Sequence, residues 1–277
     1  MNTLLHYPIQ MLSFFSLAMA FLSIWIKKNP ILFGSFGFIS ISTAFASGLI
    51  TSIALLPLAF FLLLLFGLKT HIQGLSRFLL ASTAFLIGGS LFFHFMPGFL
   101  EKESFESPTC LNYGKAFVGF LLIGYFVQTI SGKELASIFF PAISGTLALI
   151  ALSLYLKKPT LEFHFSLSFI SWSLTALFFS IIPEEALLRG FLQKELFDWI
   201  GGGMKAHLSC IAITSMLYPL FHINWAGNIS LLLPTLATGL TLGVLYQVCR
   251  KVEVCIGCHF LIRCCSFLLF GSYLACP

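Results

Sequence analysis

The chain has 277 residues, of which 58% are hydrophobic and 9% charged, with 33 Phe and a formal net charge of +5, and its mean hydropathy is +0.98. That composition is that of a polytopic membrane protein. No alternating ten-residue strands punctuate it, which excludes an outer-membrane barrel and leaves helices as the spanning structure, and no basic stripe points to nucleic acid.

Apolar stretches long enough to span run over 11–26, 31–48, 51–68, 78–100, 116–130, 135–156, 166–182, 206–221, 230–249 and 254–274. Some are nearer 15 than 20 residues, so the expected fold is an all-α bundle of about eight to ten transmembrane helices. Ala18-Met19-Ala20 mimics a signal-peptidase site. No basic residue precedes the run, however, while Lys27 and Lys28 follow it, as in a retained first helix entering from outside. Lys69, His71 and Arg77 are then cytoplasmic, and the loop with Glu101, Lys102, Glu103 and Glu106 is external. Lys194, Lys205, Arg250 and Lys251 fall inside on the ten-helix count; Lys157 and Lys158 fall outside, against the positive-inside rule.

The organisation changes near residue 115. The helices before it carry almost no buried ionisable residues, and His94 beside Pro97 reads as a helix-end residue. Polar residues recur within the apolar runs after it. Residues 1–110 are therefore expected to be accessory transmembrane helices, and 116–275 the functional helical bundle.

Next along the chain comes Pro183-Glu184-Glu185-Ala186-Leu187-Leu188-Arg189-Gly190, which sets three ionisable residues against a long apolar run. Three charges at a bilayer centre cost roughly 8 kcal/mol, and the eight Leu, Ile and Phe residues of 169–182 offset about 4. These groups cannot face lipid, and a polar cluster so placed is a functional-site hypothesis. Pro183 either kinks a continuing helix or starts a new one. In the second case Glu184 and Glu185 sit where a helix dipole favours carboxylates. Glu185 and Arg189 are spaced for an ion pair on one helical face, with Glu184 offset from them. The bland alternative is an interfacial amphipathic helix up to Ile200 with solvated charges. Gly201-Gly202-Gly203 reads as a hinge or loop.

His222 ends the apolar run 208–221, and His259 lies inside a later span. Each alone reads as a hydrogen-bonded packing residue. With Glu184 they form three successive polar interruptions on three separate helices. A carboxylate and two imidazoles can activate and orient a water or ligate a catalytic zinc. Gly239-Leu240-Thr241-Leu242-Gly243 is a small-residue step for close helix packing.

Three motifs in this order resemble those of the CPBP intramembrane proteases, which include the type II CAAX prenyl endopeptidases and the bacteriocin-immunity-related Abi proteins. The first, E-E-x-x-x-R, stands intact from Glu184 to Arg189 and is followed by Gly190-Phe191-Leu192-Gln193. The second, F-x-x-x-H, stands as Tyr218-Pro219-Leu220-Phe221-His222, with Tyr for Phe. The third, H-x-x-x-N or H-x-x-x-D, stands as His259-Phe260-Leu261-Ile262-Arg263, with Arg in the last place. The resemblance implies that Glu184 is the general base, that His222 helps hold the attacking water and that His259 stabilises the oxyanion. Glu185 and Arg189 would organise the site.

Arg263 departs from the pattern and allows two outcomes: its guanidinium donates to the oxyanion, or it pairs with Glu184 and disables the base. Asn224 and Asn228 are candidate sources of the absent amide, or else loop residues. The expected partners are a membrane-associated protein or peptide substrate and the lipid bilayer, in the inner or plasma membrane if the source is bacterial. The expected chemistry uses no firm cofactor, with zinc on Glu184, His222 and His259 as the alternative. An inactive relative with a structural or immunity role is the competing function.

Six of the eight cysteines crowd into 249–276, and Cys255-Ile256-Gly257-Cys258-His259 matches the c-type haem motif C-x-x-C-H. Cys255, Cys258, Cys264 and Cys265 could equally ligate zinc. Packing of a small apolar residue is the default reading for all of them.

Overall fold

A computed structural model describes residues 3–27, 29–70, 72–93, 95–99, 112–126, 143–147, 167–225 and 232–270. The chain is an all-α helical membrane bundle, and no strand is named among the described residues. An isolated antiparallel bridge joins Ile50 and Phe99. Lys28, His71, His94, the acidic loop 101–106, Lys157, Lys158 and Asn228 lie outside the described residues, as does most of the stretch 135–156.

Helices α1 (Thr3–Lys27), α2 (Pro30–Ala46), α3 (Ser52–Lys69), α4 (Gly74–Phe92) and α5 (Tyr113–Phe126) come first in the chain. One continuous helical run follows at 167–200, here α6. The later helices are α7 (Gly203–Leu217), α8 (Leu232–Cys249) and α9 (Val252–Phe270), with a 3-10 segment, Tyr218–Trp225, after α7. The windows Pro8–Trp25, Ser52–Lys69, Gly74–Phe92 and Leu232–Cys249 are long and apolar enough to cross a membrane; Pro30–Ala46 and Tyr113–Tyr125 are apolar but shorter. Most helix boundaries follow the apolar runs, whose length the hydrocarbon sets; α6 departs from this by running on to residue 200 instead of 182, and α4 by ending at Phe92 instead of 100.

The chain divides into two compact units. The first comprises Met1–Ser104, Leu111–Thr129 and Phe178–Leu187. Here Asn29 caps α2 by accepting from the amides of Ile31 and Leu32. Ser40 of α2 donates to the Ser13 carbonyl of α1 at 2.8 Å and lies 2.8 Å from the Tyr113 hydroxyl, so one hydroxyl ties three helices together. The Phe33 and Phe120 rings stack at 4.2 Å. Leu56, Leu63 and Phe66 of α3 are exposed, the disposition of a helix whose outer face meets lipid.

The second unit comprises Phe105–Cys110, Ile130–Leu177 and Leu188–Pro277. Trp172 of α6 stacks on Phe267 of α9 at 4.5 Å. At Gly201 and Gly202 the backbone turns with φ of 88° and 82°, a conformation that costs glycine little, and this stops α6 and lets α7 begin. Arg250, just past α8, holds φ 55°, and its guanidinium lies 3.7 Å from the centre of the Phe197 ring.

Candidate functional site

The helix does not restart at Pro183. Ile181 has helical angles (φ −66°, ψ −49°), and so does Ala186. The α segment Leu167–Ala176 continues through a π segment (Leu177–Ile181), an α segment (Ile182–Glu185), a second π segment (Ala186–Gln193) and a last α segment (Lys194–Ile200). Proline lacks an N–H and its ring crowds the preceding turn; widening that turn to π geometry accommodates both without breaking the helix. Glu184 and Glu185 are therefore mid-helix, and the expectation that a helix N-terminus stabilises them falls. The interfacial reading falls too over 184–193, because Glu184, Glu185, Arg189 and Gln193 are as buried as Leu187 and Phe191. It survives only at the end of the run, where exposed Asp198 accepts from Lys194 at 3.2 Å.

In the first unit, α5 presses on the helix at Pro183. A Cβ on Gly119 would lie 2.7 Å from Pro183 Cα, so the approach requires glycine. One turn earlier on α5 is Lys115. Its Nζ lies 2.6 Å from Glu184 Oε1 and donates to Ser180 Oγ at 3.0 Å. Ser180 Oγ donates to the same Oε1 at 2.9 Å. The backbone N–H of Lys115 is capped by Asn112 Oδ1 at 2.7 Å, and its ammonium sits 4.6 Å from the centre of the Phe92 ring.

Sequence reasoning misses Lys115, because it stands at the edge of the apolar run 116–130. The rule that singled out Glu184, an ionisable group set against an apolar span, would have found it.

In the second unit, Arg189 is fully buried. Its Nη2 donates to the Gly239 carbonyl at 3.1 Å, and its Nη1 donates to Gln193 Oε1 at 3.4 Å. Gln193 Nε2 donates to the Gly243 carbonyl at 2.8 Å, while Thr214 Oγ1 donates to Gln193 Oε1 at 3.2 Å. The small-residue step of α8 thus does more than pack. Its missing side chains expose two carbonyls that anchor the first motif's arginine and the glutamine after it. On the same face, a Cβ at Gly239 would sit 3.0 Å from Tyr218 Cβ and 3.1 Å from the Ser215 carbonyl oxygen.

His222 lies in the 3-10 segment, where Nδ1 is 3.1 Å from the Tyr218 carbonyl. A carbonyl only accepts, so Nδ1 carries the proton and Nε2 is the basic nitrogen. The Tyr218 hydroxyl lies 3.1 Å from His259 Nε2, and Arg263 Nε donates to that same nitrogen at 3.5 Å. A guanidinium only donates, which makes Nε2 an acceptor and puts the His259 proton on Nδ1. Tyr218 and Arg263, the two residues at which this chain departs from the motifs, thus meet at one atom. Asn224 lies in the same segment, but its side chain is outside the described residues.

Cys255 and Cys258 are fully buried. Cys255 Sγ donates to the Leu242 carbonyl at 3.4 Å, and Cys258 Sγ lies 3.6 Å from Thr146 Oγ1.

Residues 166–265 match the family model described as Type II CAAX prenyl endopeptidase Rce1-like. This region is similar to the CAAX-protease family. No curated protein and no solved structure shows a match. The Rce1-like region contains all three motifs, from Glu184 to Arg263, and the family is one of membrane proteases, which are hydrolases. Lys115 stands outside it.

Proposed function

We propose that the protein is a multi-pass intramembrane endopeptidase that hydrolyses a peptide bond of a membrane-associated substrate with water activated by Glu184. The observation that carries this reading is the single Rce1-like match over 166–265, whose motif residues Glu184, Glu185, Arg189, His222, His259 and Arg263 are all buried.

In the proposed reaction Glu184 takes a proton from water as its oxygen attacks the scissile carbonyl carbon. His222 Nε2 accepts the water's second hydrogen and holds it in line. The carbonyl oxygen gains the electron pair and is met by the Arg263 guanidinium, which His259 and Tyr218 orient. Collapse of the tetrahedral species breaks the C–N bond, and Glu184 returns the proton to the leaving nitrogen. His259 serves here by holding Arg263; in its tautomer Nε2 has no hydrogen to donate. Arg189 and Gln193 fix α6 on α8, and Glu185 belongs to the same organising set.

Zinc on Glu184, His222 and His259 is the alternative cofactor. The His222 tautomer suits a metal ligand. The ammonium 2.6 Å from Glu184 and the guanidinium on His259 do not, since each places a cation beside a group that would have to bind a dication. That electrostatic conflict supports metal-free chemistry. Metal analysis of purified protein, beside His222→Ala, is expected to find no stoichiometric zinc in either.

The deciding experiment uses internally quenched peptides, farnesylated and unmodified, presented to the full chain in phosphatidylcholine vesicles. Cleavage by the parent and none by Glu184→Gln supports the proposal. No difference between the two removes it and favours the inactive relative.

A further inference from the structure

We propose that Lys115, together with Ser180, is a positioning residue that fixes the orientation of the Glu184 carboxylate, so that part of the working site comes from α5, outside the Rce1-like region. The inference rests on Glu184 being the base.

Lys115 sits where local physics disfavours it. It occupies the first turn of an apolar helix, where the helix dipole repels a cation, and it is buried, so its ammonium has given up water. A residue that breaks local rules is expected where function outweighs local stability. The compensation is specific. Lys115 and Ser180 reach one and the same oxygen, Oε1, at 2.6 Å and 2.9 Å, and they bond each other at 3.0 Å.

The last torsion of a glutamate side chain is broad and roughly two-fold, so an unanchored carboxylate rotates freely. Two donors on one oxygen, one from α5 and one from the turn before Glu184, stop that rotation. Three further features hold the lysine itself: the Asn112 cap, the Phe92 ring and the Gly119 contact with Pro183. A base misplaced by about 1 Å loses on the order of a hundredfold in rate.

The test uses the full chain in phosphatidylcholine vesicles with the same quenched peptides. Lys115→Met is expected to lower kcat about a hundredfold while leaving KM within about twofold, because a misaimed base affects the chemical step and not ground-state binding. Lys115→Arg, which keeps a charged donor, should recover part of the loss. Infrared difference spectra, with the Glu184 band isolated by subtracting Glu184→Gln, should show the carboxylate stretch shifted in Lys115→Met and restored towards the parent in Lys115→Arg.

A folded Lys115→Met with parental kcat overturns the proposal, and so does a higher one, the result expected if the ammonium instead silences the base. If Lys115→Met does not insert, Ser180→Ala, which changes no charge, carries the test. A loss of about tenfold in kcat at constant KM with a shifted band supports the proposal, and no change in either overturns it. If the parent cleaves no peptide and equals Glu184→Gln, the endopeptidase reading fails separately. The infrared arm then decides alone: a shifted band upholds the positioning, and an unshifted one overturns it.

Discussion

Arg263 donates from Nε to His259 Nε2 at 3.5 Å, from one helical turn further along α9. The Tyr218 hydroxyl reaches the same nitrogen at 3.1 Å. The two departures from the family motifs therefore read as one compensated change and not as two independent defects.

If the guanidinium serves the oxyanion, Arg263→Ala removes a donor and loses roughly 2.7 to 4 kcal/mol of transition-state stabilisation. Arg263→Asn, which restores the motif residue, retains more activity than Arg263→Ala. Because Tyr218 and Arg263 share an atom, Tyr218→Phe combined with Arg263→Asn is expected to be non-additive, with the double variant more active than the product of the single effects. Measured kcat/KM for the four proteins of that cycle checks this. Strict additivity would separate the two residues.

Glu184→Gln is expected to abolish turnover, since an amide cannot accept the water's proton. From the sequence alone this variant should be folded and carry no stability cost. The Lys115 contact changes that expectation. Neutralising one side of a buried pair costs roughly 3 to 5 kcal/mol, so Glu184→Gln should melt below the parent. Combining it with Lys115→Met should recover most of the loss, and thermal unfolding of the three proteins in detergent measures it.

Gly239→Ala places a methyl 3.0 Å from Tyr218 Cβ and 3.1 Å from the Ser215 carbonyl oxygen. The expected cost is about 1 to 3 kcal/mol of overpacking, with a fall in activity because Tyr218 is pushed from His259. Gly257→Ala, on α9 with nothing within 4 Å, is the matched control and should change little. Melting temperature and peptide cleavage on the same samples test the pair.

Cys255 and Cys258 are expected to behave as packing residues. Purified protein should be colourless and release no haem-linked peptide, and Cys255→Ala should leave its spectrum unchanged. An absorbance band that disappears in Cys255→Ala would restore the haem reading of the C-x-x-C-H sequence.

The helical class and most helix boundaries were legible in the sequence, because a bilayer demands about 20 apolar residues per crossing and leaves that demand written in composition. Glu184, His222 and His259 stand out in the sequence as candidates as well, since a polar group inside such a run is costly enough to need a reason, and all three are buried. What tertiary structure decided is which polar groups meet. Lys115 and Glu184 are 69 residues apart, Arg189 and Gly239 are 50 apart, and no local spacing encodes either bond. The fate of Pro183 was also left open by sequence. Proline permits a new helix or a distorted one, and the packing of Gly119 against it, together with the burial of both glutamates, accompanies a continuous helix with π-widened turns. Hydrophobic length is a one-dimensional quantity and can be read along the chain; the pairing of buried charges depends on which helices touch.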